Sequence, residues 1–287
     1  MRMQLRGRTL DLGRPRLVGI VNVTPDSFSD GGQLPTLQAA VDHALSLIEA
    51  GAELLDVGGE STRPGAMAVP LEVEARRAVP VVQAICARTQ VPVCIDTRRA
   101  EVARMALQAG AVLVNDTSGA VADGMAEVVC EFAAGWVLMH APHAVGAMGW
   151  SQAAQGFPQG TEAGVQRVAD DLAAMVARAL ALGAGWPQLA VDPGLGFGKT
   201  AAQNLRLLRC PAALHTIGLP VYAGPSRKSF LVAQLPAHRT PSPGQRQGAT
   251  AAAVTAAVLG GAAFVRVHDV AALRQVFDAA VAIRDAG

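Results

Sequence analysis

The chain has 287 residues, and 51% of them are hydrophobic, which is enough to bury a sizeable core and too many for a disordered protein. Lys and Arg number 24 against 23 Asp and Glu, so the chain lacks the basic excess that is typical of nucleic-acid binding. Its four cysteines form no C-x-x-C pair, and no segment has the pattern of a signal peptide or a membrane span, so we expect a cytoplasmic protein without disulfide bonds or a cysteine-ligated zinc ion.

Eight short apolar runs recur along the chain, and longer segments with helical character separate them. The runs do not alternate strictly between apolar and polar residues, which is typical of strands buried on both faces of a parallel sheet. Helical periodicity is clearest over residues 163–184 and 270–284, where apolar residues recur along one face. The eight predicted strands cover residues 17–23, 54–58, 93–97, 112–116, 136–140, 189–193, 220–224 and 264–269.

Three Gly-Ala pairs stand immediately before predicted strands. The pairs begin at Gly51, Gly110 and Gly261. A glycine at such a place takes the left-handed conformation that ends a helix, so each pair indicates a helix that stops and a strand that follows at once.

The choice of fold depends on polar residues that end different strands. Eight alternating strand and helix units fit either a (β/α)₈ barrel or an open, doubly wound sheet. Because a barrel brings all eight carboxyl ends around one pocket, the polar strand ends favour the barrel. We predict an α/β fold, a single-domain (β/α)₈ TIM barrel over residues 1–287 with its core at about 17–285. The polar strand ends are Asn22, Asp56, Asp96, Asn115, Asp116, His140, Asp192, Arg266 and His268.

Residues 192–200 (DPGLGFGKT) look like part of a nucleotide-binding loop but fit neither common pattern. A P-loop needs glycine where Pro193 stands. The dinucleotide-binding pattern that starts at Gly194 needs glycine where Lys199 stands. We therefore do not expect an NTPase or a Rossmann-type enzyme.

Two polar loops follow the first two predicted strands. The first contains Phe28 among Ser, Asp and Gly residues, which indicates a lid over a bound molecule. The second offers the Thr62 hydroxyl and the Arg63 guanidinium, and arginine binds phosphate through two parallel hydrogen bonds. The alternative for the second is an ordinary surface loop in which Glu60 pairs with Arg63.

Acceptor groups and cations end the later strands. Asp96, Asn115 and Asp192 could bind a divalent metal, act as acid and base, or accept N–H groups of a ligand. Lys228 follows the seventh strand, where Ser226 or Ser229 can cap the next helix and favour an anion.

The eighth strand adds Arg266 and His268, which lie two residues apart and so share one face. A locally bonded core histidine is the alternative for His268. Together the acceptors and the cations describe a ligand with an N–H-rich polar head and a phosphate tail.

Seven segments, in their order along the chain, resemble dihydropteroate synthase. They are NVTPDSFSDGG, ESTRPGA, IDT, ND, DPGLGFGKT, SRKSF and RVHDV, and the resemblance runs from about Leu17 to Asp285. That family has a (β/α)₈ barrel and joins 6-hydroxymethyl-7,8-dihydropterin diphosphate to para-aminobenzoate, with release of diphosphate. The resemblance implies Mg²⁺ as cofactor, these small molecules as partners and a homodimer, with no nucleic acid or membrane.

The resemblance also implies a role for each matched residue. Catalytic roles are implied for Lys228, Asp96 and Arg63. The pterin is expected to contact Asp96, Asn115, Met139, Asp192, Phe197 and Lys228. The diphosphate is expected to contact Asn22, Arg63, Arg266 and His268, with Asn22 also a ligand of Mg²⁺. Para-aminobenzoate is expected to contact Phe28, Thr62, Pro64 and Ser229.

The implied mechanism is SN1-like, so that diphosphate departs before the aromatic amine attacks and no general base is needed. The chain departs from the family pattern over residues 141–162, since Ala141 rather than Met follows His140. Two alternatives remain, a pterin-binding paralogue without turnover and a methyltetrahydrofolate-binding methyltransferase domain.

Overall fold

The computed structural model describes residues 1–24, 36–61, 68–118, 123–142, 157–209 and 212–286. Its strands are β1 (Arg2–Leu5), β2 (Arg8–Asp11), β3 (Arg16–Asn22), β4 (Leu54–Gly58), β5 (Val93–Thr97), β6 (Leu113–Asp116), β7 (Gly135–Met139), β8 (Leu189–Asp192), β9 (Tyr222–Ala223) and β10 (Phe264–Val267). Its helices are α1 (Leu37–Glu49), α2 (Leu71–Cys86), α3 (Ala100–Gln108), α4 (Met125–Phe132), α5 (Thr161–Ala181), α6 (Ala201–Leu208), α7 (Ala212–His215), α8 (Gln247–Leu259) and α9 (Val270–Asp285).

Eight parallel strands form the barrel. Their spatial order is β8-β7-β6-β5-β4-β3-β10-β9. A bridge between Val191 and Val221 brings the two ends of this order together, and the Val191 N–H donates to the Pro220 carbonyl at 2.9 Å. The predicted (β/α)₈ barrel and all eight of its strands are thereby confirmed, although the seventh shortens to Tyr222–Ala223.

Each barrel strand contributes an apolar side chain to the interior. Because side chains on a strand alternate between two faces, the residue two positions further on also faces the interior. The second interior layer therefore contains polar groups, and it lies nearer the carboxyl ends of the strands. The apolar layer consists of Val18, Leu54, Cys94, Leu113, Val137, Ala190, Tyr222 and Phe264. The layer above it contains Asp56, Asp96, Asn115, Met139, Asp192 and Arg266.

An antiparallel hairpin of β1 and β2 closes the opposite end of the barrel, and the sequence analysis did not predict it. Met3 and Leu5 are fully buried in the same cluster as the apolar interior layer. A Cβ added at Gly135 would clash with the Leu5 side chain, so glycine leaves room for the hairpin. The alternation in RMQL, with every second side chain buried, is the signal that could have revealed it.

The helices follow the predicted periodicity. Helix α5 buries Val165, Val168 and Leu172 on one face, and α9 is buried in the same manner. The three glycines of the Gly-Ala pairs have φ values of +102°, +116° and +90°, as the helix ends require. No helix in the described ranges is long and apolar enough to cross a membrane.

Candidate active site at the carboxyl end of the barrel

The polar interior layer brings together residues from four strands. Arg266 on β10 donates through Nη2 to Asp96 on β5 at 2.7 Å. Its Nε donates to Asp56 on β4, and the same carboxylate accepts from Asn115 Nδ2 on β6 at 3.1 Å. All four residues are among the polar strand ends that the sequence predicts around one pocket, and the structure links them through the Asp56 and Arg266 side chains.

A second group lies on the β8 side of the layer. Asp192 accepts the Gly194 N–H at 2.7 Å, and the buried Met139 is its partner in register on β7. The Lys228 ammonium lies 4.1 Å from the centre of the Phe197 ring, within the range of a cation–π contact. A carboxylate, an ammonium group and two flat or flexible apolar side chains thus share one region, which suits a planar heterocycle that carries N–H donors.

Burial dominates the electrostatics of Asp192 and Lys228. It raises the pKa of Asp192 to about 6, while the Gly194 N–H and the Lys228 charge oppose the shift. It lowers the pKa of Lys228 to about 7, against the attraction of Asp192. Both charged forms therefore lack solvation, and a ligand that supplies hydrogen bonds would stabilise them.

Asp96 and Arg266 behave differently. Burial raises the pKa of Asp96 to about 7, although the Arg266 charge opposes the shift. Burial disfavours the charged form of Arg266 as well, but Asp56 and Asp96 more than offset this and raise its pKa. Arg266 is therefore a permanent cation at the centre of the site.

His268 is held by Ser226. The His268 Nδ1 lies 2.9 Å from the Ser226 Oγ, and that oxygen also accepts the His268 backbone N–H at 3.2 Å. The expected helix cap is wrong, because a four-residue 3₁₀ turn (Ser229–Val232) follows and has no side-chain cap. The positive end of the site therefore relies on side-chain cations and not on a helix terminus.

The turn that carries Lys228 has an unusual backbone. Arg227 has φ +62°, a left-handed conformation that side chains with a Cβ adopt rarely. Its N–H donates to Thr250 Oγ1 at 3.2 Å, and its carbonyl accepts from Arg246 Nη1 at 2.8 Å. Helix α8 and the residue before it thus hold the turn that positions Lys228.

Asn22 ends β3 at the rim of the site, and its residue type fits Mg²⁺. A Cβ added at Gly58 would lie 3.7 Å from Asn22 Oδ1 and 3.6 Å from Asp96 Cβ, so the glycine leaves space between them. Amide oxygens suit Mg²⁺, which keeps several waters and binds substrate phosphates. Within the described ranges no group of three or more His, Cys, Asp or Glu side chains could hold a metal ion.

Several predicted site residues lie outside the described residues. They are Phe28, Thr62, Arg63 and Pro64, and residues 143–156 of the atypical segment lie outside as well. Glu60, which could have paired with Arg63, makes hydrogen bonds with Arg98 at 2.9 Å and Arg99 at 3.2 Å.

Lys199, at the end of the loop that fails the P-loop pattern, has a structural role that the sequence did not indicate. Its buried ammonium donates to the carbonyls of Gly194 and Phe197, both at 2.9 Å, and lies 3.4 Å from that of His140. Burial lowers the pKa of Lys199 to about 7. The sequence offers one signal that Lys199 has a specific role, since Lys199 and Lys228 are its only two lysines.

The lysine content makes the pKa values directly measurable. Protein grown with ¹³C at the lysine Cε should show two resonances, and we expect both to titrate near pH 7 and not near 10.5, because burial disfavours the ammonium form. The Lys228→Met variant assigns the signals. Two midpoints above pH 10 would contradict the electrostatic description.

Comparisons with known proteins show the family of this chain. The family model for pterin binding enzymes matches residues 18–268. A dihydropteroate synthase from Synechocystis sp. is 42% identical over 282 residues, which cover 96% of this chain and 93% of that protein. The structure of Xanthomonas albilineans dihydropteroate synthase with 4-aminobenzoic acid is similar with a TM-score of 0.87 and 42% identity, over 99% of this chain and 98% of that one. A dihydropteroate synthase structure from the same organism, in complex with 7,8-dihydropteroate, is similar with a TM-score of 0.84 and 38% sequence identity, over 99% of both chains.

Proposed function

Because this chain belongs to the pterin-binding enzyme family and, within it, to the dihydropteroate synthases, we propose that it condenses 6-hydroxymethyl-7,8-dihydropterin diphosphate with para-aminobenzoate to give 7,8-dihydropteroate and diphosphate. One observation carries the proposal. A single interior layer places the acceptors of Asp96, Asn115 and Asp192 beside the Arg266 guanidinium. The acceptors suit the N–H groups of a pterin, and the cation suits a diphosphate.

The pterin binds between acceptors and flat surfaces. Asp192 accepts a ring N–H and the exocyclic amine, and the Asn115 amide and the Asp96 carboxylate take further donors. Lys228 donates to a ring oxygen or nitrogen. The ring lies between Met139 and Phe197. Both side chains are buried, and the Phe197 ring lies beside Lys228, which supports this arrangement.

The diphosphate binds to the cationic side. Arg266 uses Nε and Nη2 on the two carboxylates, and its Nη1 has no hydrogen bond to any described side chain. His268 is oriented by Ser226 and adds a second donor. Arg63 completes the group, as the family pattern implies.

Mg²⁺ would be held by Asn22 together with water and the substrate phosphates. When bound, it supplies positive charge that stabilises the departing diphosphate.

The chemistry separates into departure and attack. The bond between the pterin methylene carbon and the diphosphate oxygen breaks, and its electron pair leaves with the diphosphate, which Arg63 and Arg266 stabilise. The Asp96 carboxylate stabilises the methylene cation, and Lys228 holds the ring. The amine nitrogen of para-aminobenzoate then attacks the carbon and loses a proton to water, so no general base is required.

Para-aminobenzoate enters beside the turn after β9. Ser229 in this turn lies next to Lys228 in sequence, near the expected carboxylate. Phe28, Thr62 and Pro64 are proposed to complete the pocket. The related Xanthomonas albilineans enzyme has been solved with 4-aminobenzoic acid, which supports this substrate.

We also propose a homodimer, as the family resemblance implies. One side of α8 is buried, and its other side carries Ala252, Ala256 and the 46% exposed Leu259. An apolar face of this kind suits a subunit interface. A mass of one chain in light scattering would contradict it.

The decisive test measures diphosphate release by purified protein with the pterin diphosphate and Mg²⁺. We expect release that requires para-aminobenzoate and stops when a chelator is added. A pterin-binding paralogue without turnover would bind the pterin diphosphate in calorimetry and release nothing. A methyltransferase domain would bind pterins without any need for Mg²⁺.

A further inference from the structure

Asp56 has no role in the proposed chemistry, yet one of its oxygens joins three strands besides its own. Its side chain is fully buried on β4. The Oδ2 atom accepts from Asn115 Nδ2 on β6 at 3.1 Å, from the Tyr222 hydroxyl on β9 at 3.3 Å and from Arg266 Nε on β10. None of these strands is a neighbour of β4 in the sheet, so the contacts cross the barrel interior.

The contact with Asn115 sets the direction of an amide. An ionised carboxylate only accepts hydrogen bonds, so Asp56 must face the NH₂ group of Asn115 and not its oxygen. The Asn115 Oδ1 is then directed elsewhere, and it is buried without a hydrogen-bond partner among the described residues. A buried acceptor without a partner is costly, and a ligand N–H would satisfy it.

The contact with Arg266 sets the plane of a guanidinium. Nε is bound to Asp56 and Nη2 to Asp96, and the planar fork leaves no rotation once two of its nitrogens are held. The remaining nitrogen, Nη1, therefore has a defined direction. Without Asp56 the guanidinium would keep only its bond to Asp96.

The Tyr222 hydroxyl donates to the same Asp56 oxygen from the apolar interior layer. Tyr222 is the only tyrosine in the chain, and it is fully buried in the apolar interior layer against Phe264, with ring centres 5.5 Å apart. Burial and the Asp56 charge raise the pKa of Tyr222 well above its usual value, so its hydroxyl stays protonated and donates.

We propose that Asp56 is a positioning residue for the condensation, which orients the Asn115 amide toward the pterin and the Arg266 guanidinium toward the diphosphate, and that Tyr222 holds the carboxylate in place. This inference rests on the proposed function. Asp56 touches no substrate and acts through the two residues that do.

The test is Asp56→Asn, which keeps the volume of the side chain but replaces an acceptor with a group that also donates. We expect the KM for the pterin diphosphate to rise at least about tenfold, since both binding partners of Asp56 lose their orientation. The KM for para-aminobenzoate should stay within about twofold. Loss of folded protein alone would lower kcat and leave both KM values unchanged, so this split separates positioning from a structural role.

Two further variants complete the test. Tyr222→Phe should raise the KM for the pterin diphosphate about threefold. Introduced into the Asp56→Asn variant, it should cause no further rise in this KM if both residues act through one oxygen. Asp116→Asn is the matched control, because Asp116 is also fully buried at a strand end but accepts from Trp136 Nε1 at 3.1 Å, outside the site. It should leave both KM values unchanged.

The outcomes distinguish the two hypotheses. Wild-type protein that releases no diphosphate would contradict the proposed function and this inference with it. Wild-type release together with an unchanged pterin KM in Asp56→Asn would overturn the inference alone. If Asp56→Asn does not fold, an unchanged pterin KM in Tyr222→Phe overturns it and a raised KM supports it.

Discussion

Replacing Asp192 with alanine is expected to lower kcat/KM for the pterin diphosphate at least about 1,000-fold, and Lys228→Ala should act similarly. A factor of 1,000 corresponds to about 4 kcal/mol of transition-state stabilisation. Asp192 is proposed to accept two pterin N–H groups, and hydrogen bonds to a charged group contribute roughly 1.5–3 kcal/mol each. The loss of both bonds is sufficient to account for the expected effect.

The same variants are expected to remain folded. Burial raises the pKa of Asp192 and lowers that of Lys228, which means that the folded protein pays for keeping these groups charged. Removing either group relieves that cost, although Asp192→Ala leaves the Gly194 N–H without its acceptor. We therefore expect thermal unfolding temperatures within a few degrees of wild type, as is common when a binding group is removed.

Steady-state kinetics with both substrates, beside thermal unfolding of each variant, checks this prediction. Asp192→Asn serves as the control for shape, because it keeps the volume and an acceptor oxygen but loses the charge. It should retain more activity than Asp192→Ala and far less than wild type. Near-normal turnover in either alanine variant would refute the proposed pterin site.

The sequence was sufficient for the barrel and for most of the polar layer. Parallel strands end at one edge, so polar strand ends such as Asp96, Asn115 and Asp192 predicted a common pocket without any knowledge of the side-chain contacts. The structure then placed Asp96 and Arg266 in direct contact at 2.7 Å. Local periodicity and strand-end chemistry were enough for this part.

The residues that support the site could not be predicted in the same way. The contacts of Asp56 depend on which side chains meet across the barrel interior, and residues 59, 166 and 210 positions away in sequence supply them. Tyr222 looks like an ordinary core residue in a strand. Ser226 looked like a helix cap, but the chain forms only a short 3₁₀ turn after it, and its hydroxyl binds His268 instead.

The structural role of Lys199 could not be predicted from the sequence for a related reason. The GKT segment resembles a phosphate-binding loop, and only the missing glycine at Pro193 argued against that function. The Lys199 ammonium is directed at backbone carbonyls of its own loop. The glycines at 194, 196 and 198 all have positive φ, so the loop turns back on itself around the lysine. The spacing of glycines alone does not reveal whether such a loop surrounds a phosphate or a side chain.

The Lys199→Met variant is expected to lose about 3 kcal/mol or more of unfolding free energy. The Phe197 carbonyl would be left buried without a donor, and the Gly194 carbonyl would keep only the Phe197 N–H at 3.1 Å. The expected loss is a large part of the roughly 5–15 kcal/mol that stabilises a typical domain. Denaturant unfolding measures the loss, and we also expect a raised KM for the pterin diphosphate, since Phe197 lies beside Lys228.

The pH dependence gives this last prediction a second readout. Lys199 has a pKa of about 7 in the folded protein against 10.5 for an unperturbed lysine, so between these values the unfolded chain binds more protons. The wild-type unfolding free energy should therefore gain from Lys199 as pH rises from 7 to 9, and the variant should lack this gain. The neutral amine retains two N–H donors, enough for the two carbonyls at 2.9 Å. Lys228→Met is the matched comparison. We expect it to lose turnover but little unfolding free energy. Equal losses of unfolding free energy in both variants would show that Lys199 does not hold the loop.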